Sequence, residues 1–336
     1  LLNNRIEQIN EIYISRNIIF FLIKNFFKYS LKINYLLALI KITNPKIMIT
    51  RIDTSSDFHI LSKILYKKIF CISLQQGSRD RPDGRNIRIN PIAKSDIKKF
   101  FIPEFFVFSQ SDKFLFRKLK TKVKNYHIIG SIKARAALNY FKLRNINTSI
   151  SYDFCLISSV DKNLTTGYIA KYLHDFCREK NFSYVIAAET DLKDGTELEF
   201  YKEFMGDRKI NIVRNFKKKY TSYRTILKSK VVVGQLSTLL KESLSYNKKI
   251  FTINGSIYNF ANKDLFTYKK NNIKNSWQPK INSYSKFKNF AFNIYKMSNI
   301  DYSKKFKNRD YFMKRDQDSI DLLKKKIIYF LKKSSK

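Results

Sequence analysis

A chain of 336 residues with 44% hydrophobic and 15% aromatic residues can pack a core in each of two ordinary domains, which excludes a disordered chain. The net charge of +39 points first to nucleic acid, but the cations run along the whole length and accompany a surplus of Lys, Asn, Ile, Tyr and Phe, with only 8 Gly and 5 Pro. An AT-rich genome produces that bias, so drift toward Lys explains most of the charge, and attraction to nucleotide phosphates or an anionic leaflet is a secondary benefit.

The chain begins with Leu, as a fragment would, and shows no secretory signal. The apolar stretch Ile12 to Ile42 is broken by Lys24, Lys28 and Lys32, too short between charges for a membrane span. It reads as helix packed on the domain's own sheet, with a helix lying on a membrane surface as the alternative. From Pro45 strands and helices alternate. Strands are expected at Lys46 to Ile52, Ile69 to Leu74, Phe105 to Phe108 and Tyr126 to Ile129, with helices at Asp57 to Lys67, Ser109 to Leu119 and Ser131 to Phe141. The polar stretch Arg144 to Ser151 is a linker. Beyond it come strands at Asp153 to Val160, Tyr184 to Ala188, Ile210 to Val213, Val231 to Val233 and Ile250 to Ile253. The intervening helices are Leu164 to Lys180, Glu197 to Met205, Ser222 to Lys228 and Ser237 to Tyr246. Short apolar strands alternating with helices in both halves imply two parallel α/β sheets. The domains divide as 1–148, 149–262 and a basic, mostly helical tail, 263–336, whose last helix carries Ile320, Leu323, Ile327, Phe330 and Leu331 on one face and packs back on the domains. Cys71, Cys155 and Cys177 show neither CxxC nor metal spacing, which suits a reduced, cytoplasmic chain.

In open α/β sheets ligands bind beyond the carboxyl ends of the strands. In the C-terminal half those ends carry Ser158 and Ser159, Glu189 to Lys193, Arg214, and Gly234 to Thr238. Gly234 permits a sharp turn, and Ser237 and Thr238 open a helix where free N–H groups can hold a phosphate or the hydroxyls simply cap the helix. Glu242 lies one turn on, placed to reach ribose hydroxyls or to face solvent. In the N-terminal half the same logic selects Arg51 to His59 and Gln75 to Arg79. Gly77 allows close backbone approach and Arg79 can hold an anion. Asp53 or His59 is a candidate general base, although Asp53 reads strongly as a helix cap and His59 as a residue against the sheet. His127 reads as structural. The absence of GxGxxG, Walker, HExxH and GxSxG motifs weakens the dehydrogenase, NTPase, zinc-hydrolase and esterase readings.

The block SYRTILKSKVVVGQLSTLLKESLSYNKKIFTIN, with IPEFFVFSQSDKFLFRKL, HIIGSIKARAALNYF and ISLQQGSRD, resembles the bacterial surface carbohydrate biosynthesis proteins, transferases with the GT-B glycosyltransferase fold. The resemblance runs from about Ile47 to Phe260. It implies two Rossmann-like domains facing a cleft and a glycosyltransferase of surface polysaccharide or lipopolysaccharide assembly. A nucleotide-sugar donor would lie against Gly234, Ser237, Thr238, Glu242, Arg214 and Ser158. A glycan or lipid-linked acceptor would lie near Gln76, Gly77 and Arg79. No metal and no cofactor are implied, and the location would be cytoplasmic, peripheral at the inner face of the membrane. A CDP-alditol phosphotransferase or a UDP-sugar epimerase on the same fold is the alternative, and a nucleic-acid-binding protein a remote one. The polymer-type phosphotransferases carry His where this chain has Gln76. Gln cannot act as a base, so Asp53, Asp57 or His59 would have to serve, or the protein binds without turnover.

Overall fold

The computed structural model describes residues 15–25, 28–77, 100–118, 121–158, 164–188, 196–206, 210–213, 219–234, 237–252, 283–305, 309–315 and 319–333. The apolar N-terminal stretch forms two helices, α1 (Arg16–Lys24) and α2 (Leu31–Thr43), each opened by a serine whose hydroxyl accepts a backbone N–H, Ser15 from Ile18 and Ser30 from Ile33. Here α1 packs on α2, and α2 in turn on helix α3 (Ser56–Leu65). Among the described residues, no helix is long and apolar enough to cross a membrane.

The N-terminal sheet is parallel, with strands β1 (Ile47–Thr50), β2 (Phe70–Leu74), β3 (Phe101–Val107) and β4 (Lys122–Ile128) in sequential order. Helices α4 (Gln110–Lys118) and α5 (Ile132–Leu143) follow β3 and β4. Strand β3 starts four residues earlier than its apolar run suggests and contains Pro103. Pairing with β2 begins at Ile72 opposite Glu104, while the ladder to β4 pairs Ile102 and Glu104 on either side of Pro103. One side of this sheet buries Phe58, Cys71, Phe105 and Phe116, and the other Ile72, Phe106 and Ile129.

The C-terminal sheet is also parallel. Its strands are β5 (Tyr152–Ile157), β6 (Tyr184–Ala187), β7 (Ile212–Val213), β8 (Ser229–Gly234) and β9 (Lys249–Thr252), in the order β7-β6-β5-β8-β9. Helices α6 (Leu164–Lys180), α7 (Thr196–Met205), α8 (Thr221–Leu227) and α9 (Thr238–Glu242) connect them. The strand order reverses at β5, which leaves a crevice between the carboxyl ends of β5 and β8. Val231, Val232 and Val233 of β8 are fully buried, each stabilising the sheet by about 1.5–3 kcal/mol. The helix expected over Ser237 to Tyr246 is α only to Glu242 and tightens to a 3₁₀ turn over Ser243–Tyr246. All three cysteines are buried and unpaired, and burial pushes the Cys71 thiol up to about 11 and that of Cys155 to about 12.

The tail is helical where described: α10 (Tyr284–Lys296), α11 (Asn299–Lys305), α12 (Arg309–Phe312) and α13 (Ser319–Lys333). Phe287, Ala291, Ile294, Tyr302 and Met313 join the C-terminal core. Helix α13 crosses to the N-terminal sheet, where Phe330 stacks on Phe70 at 4.7 Å between ring centroids and Leu322, Leu323 and Ile327 cover Ile72 and Phe106. The tail therefore ties the two halves together.

Candidate functional site

The carboxyl ends of the two sheets meet. Gly77, in the turn after β2, stands so close to the start of α9 that a Cβ there would lie 3.1 Å from the Thr238 hydroxyl. A side chain here would fit only if the Thr238 hydroxyl gave way by a few tenths of an ångström. The acceptor-side turn and the donor-side helix start, singled out separately in the sequence, are thus neighbours across the interface.

Gln75 builds the turn. Its Oε1 accepts the Phe108 N–H at 2.9 Å, and its Nε2 donates to the Gly77 carbonyl and to Asp112 Oδ1, both at 2.9 Å. Asp53, fully buried, accepts the Gln76 N–H at 3.4 Å from below the same turn. Asp57 instead forms an ion pair with Lys32 at 2.6 Å on the outer side of α3. His59 is buried with its ring 4.1 Å from that of Phe100 and Nδ1 3.3 Å from the Phe101 carbonyl. Burial lowers its pKa to about 4, against opposing hydrogen bonds to the Phe101 and Asp53 backbones, so it is a neutral residue against the sheet. Of the three candidate bases, Asp53 is the one that the fold puts at the turn.

On the donor side, Ser237 is the N-cap of α9 and its hydroxyl accepts the Leu239 N–H at 3.2 Å. Gly234, at the end of β8, lies against Ile157 at the end of β5 and against Leu240. Ser158, the next residue after β5, is buried and its hydroxyl accepts from Tyr201 at 2.7 Å. Glu242 departs from the solvent- or ribose-facing position expected of it. It is 3% exposed, accepts hydrogen bonds from Ser131 and from the Tyr223 hydroxyl (2.7 Å), and burial raises its pKa against those two bonds. Arg79, Ser159, Glu189 to Lys193 and Arg214 lie outside the described residues.

Sequence reasoning missed what holds the two sides together. Lys241 Nζ reaches both carboxylate oxygens of Asp112, at 3.0 and 2.8 Å, with the two side chains 3% and 2% exposed. Ser109 also donates to Asp112 and accepts its N–H at 3.2 Å, capping the start of α4. The next residue, Glu242, bonds to Ser131, the N-cap of α5. Two consecutive residues of α9 therefore grip the first turns of two N-terminal helices. The one readable signal was Ser109-x-x-Asp112, an S-x-x-D pattern before an apolar run. Among the described residues, no group of three or more His, Cys, Asp or Glu could hold a metal ion.

The fold is similar to that of several solved structures. The UDP-GlcNAc 2-epimerase of Methanocaldococcus jannaschii, in complex with UDP-GlcNAc and UDP, aligns with a TM-score of 0.56 at 10% identity, over 88% of this chain and 79% of its own. The pneumococcal O-GlcNAc transferase GtfA, in complex with UDP and GlcNAc, gives 0.51 at 10% identity, over 89% of this chain and 60% of its own. The wall teichoic acid polymerase TagF gives 0.52 at 10% identity, over 80% of this chain and 70% of its own. These identities establish the two-domain GT-B-like fold and no more. No curated protein matches in sequence. A family model described as "putative O-antigen biosynthesis protein" matches residues 108–335, which span α4, the whole C-terminal sheet and the helical tail. The chain belongs to this O-antigen biosynthesis protein family.

Proposed function

We propose that the chain is a glycosyltransferase of surface-polysaccharide or lipopolysaccharide assembly that takes its sugar from a nucleotide-sugar donor. The carrying observation is the approach of Gly77 to Thr238 beside the crevice where the C-terminal strand order reverses. The nucleotide would lie beyond β5 and β8, with its phosphates toward Ser237 and Thr238. The acceptor hydroxyl would approach from the Gln76–Gly77 side and attack the anomeric carbon as the nucleoside phosphate leaves. Asp53, fixed beneath that turn, is the base this reading favours. Membership of an O-antigen family, the UDP-GlcNAc in one similar structure and the UDP and GlcNAc in another support the reading.

Calorimetric titration of the full chain with UDP-, GDP-, CMP- and CDP-linked sugars tests it. Saturable binding of one donor is expected, weakened when Gly77→Val pushes the turn away from Thr238. Binding of none would overturn the proposal. A sugar epimerase is the second reading, because an epimerase structure aligns at least as well as the transferase. Product analysis separates the two. A transferase needs an acceptor and releases the nucleotide, whereas an epimerase alters the donor sugar with no acceptor present.

A further inference from the structure

The N-terminal hairpin presents an apolar face that nothing in the described fold covers. In α1, Ile18 is fully buried against α2, while Ile19 is 48% exposed and Phe20 and Ile23 are each 71% exposed. Arg16, Ile19, Phe20 and Ile23 follow the i, i+3, i+4, i+7 spacing and so share one side of the helix. Leu31, at the start of α2, adds a further exposed residue at 62%. The hairpin is firmly built. The buried Asn34 donates through Nδ2 to the carbonyls of Asn25 at 2.8 Å and Tyr29 at 3.0 Å, which fixes the connection between the helices.

Within the hairpin itself the charge is of one sign, although Lys32 is paired with Asp57 of α3. From residue 16 to 43 the sequence holds Arg16, Lys24, Lys28, Lys32 and Lys41, and no Asp or Glu. Lys24 follows Ile23 at the end of α1, and Lys28 lies in the connection beside Leu31. Apolar side chains next to cations on a helix too short to span a bilayer are what an interfacial helix requires. A second copy of the chain is a poor partner. A two-fold contact would set this face against itself and bring the same cations together. A phosphate backbone would satisfy the lysines but offers nothing to Ile23 and Leu31.

We propose that the α1–α2 hairpin docks the protein on an anionic lipid surface, with Phe20, Ile23 and Leu31 entering the headgroup boundary and Lys24 and Lys28 meeting lipid phosphates. This stands apart from the nucleotide-sugar reading and can fail without it.

The test is flotation of the full chain with vesicles of phosphatidylcholine alone and of phosphatidylcholine mixed with phosphatidylglycerol. Binding is expected to the mixed vesicles and to fall with added salt. Each lysine near an anionic leaflet contributes about five-fold, so Lys24→Gln with Lys28→Gln should weaken partitioning by about twenty-five-fold. Phe20→Ser with Ile23→Ser should abolish flotation. All four positions are exposed, so the variants keep the wild-type unfolding midpoint. Equal binding to both vesicle types, or flotation untouched by either pair of substitutions, would overturn the proposal. So would the absence of flotation together with a dimer, or with RNA binding, that Phe20→Ser with Ile23→Ser removes.

Discussion

Breaking the buried pair between α4 and α9 should cost far more than removing both of its members. Asp112 and Lys241 are almost fully enclosed and 2.8 Å apart. At an effective dielectric constant of about 20, that contact is worth roughly 6 kcal/mol before desolvation is counted. Lys241→Met leaves Asp112 charged and buried, although it keeps its bonds from Gln75 and Ser109, so a loss of about 3 kcal/mol is expected. Asp112→Asn removes the countercharge and leaves the buried Lys241 only neutral acceptors, the amide oxygen and Ser111 at 3.5 Å, so a loss nearer 5 kcal/mol is expected. The double variant carries no stranded charge and should lose only about 1–2 kcal/mol. Urea unfolding followed by circular dichroism gives all three values, and the cycle gives the coupling, about 6 kcal/mol by these figures. A double variant whose loss equals the sum of the two singles would refute the reasoning. The singles should also weaken donor binding, because the pair holds α9 against the Gly77 turn.

Other outcomes follow from single positions. His59 has a folded pKa of about 4 against an ordinary value of 6.5, so it contributes stability above pH 6.5 that is lost as pH falls toward 4. That loss should reach about 3 kcal/mol between pH 7 and pH 4, and His59→Phe should flatten this part of the stability profile. Asp153 is held down to about 2, its burial outweighed by Lys230, Ser183 and Tyr295. Its contribution is present above the ordinary carboxylate range and lost as pH falls through 2, and Asp153→Asn should remove that acid-side slope in urea midpoints. Gly130 has φ +79°, and a Cβ there would lie 2.6 Å from the Lys314 carbonyl, so Gly130→Ala should cost at least about 2 kcal/mol in the same assay. A Cβ on Gly167 would meet the Phe204 ring at 2.3 Å, so Gly167→Ala should part α6 from α7 and cost about 1–3 kcal/mol.

The strand and helix alternation was legible because each buried parallel strand is a short β-branched or aromatic run, as in Val231 to Val233. Where a strand lies at an edge the signal weakens. Strand β4 reads KVKNYHI, and its polar first half concealed a start four residues earlier than expected. The rule that ligands sit at carboxyl ends selects Gly77 and Thr238 separately, and their meeting across the interface is shown only by the fold. The interface was not legible. Asp112 and Lys241 are 129 residues apart, and Lys241 looks like any of the many surface lysines. Helical spacing sets Glu242 one turn beyond the cap, where it reads as a ribose ligand or a solvent-facing residue. Helical spacing alone does not show that the start of α5 stands opposite it, with Ser131 ready to donate. His59 illustrates the converse, a titratable residue in a promising turn whose side chain the fold turns into the aromatic core.

The central claim is that a nucleotide sugar binds in the crevice between β5 and β8, facing the Gly77 turn. A crystal structure with the best-binding nucleotide soaked in tests it most directly. The account predicts the phosphates beside Ser237 and Thr238, with the acceptor side opening toward Gln76 and Gly77. A nucleotide bound elsewhere, with that crevice empty, would contradict it.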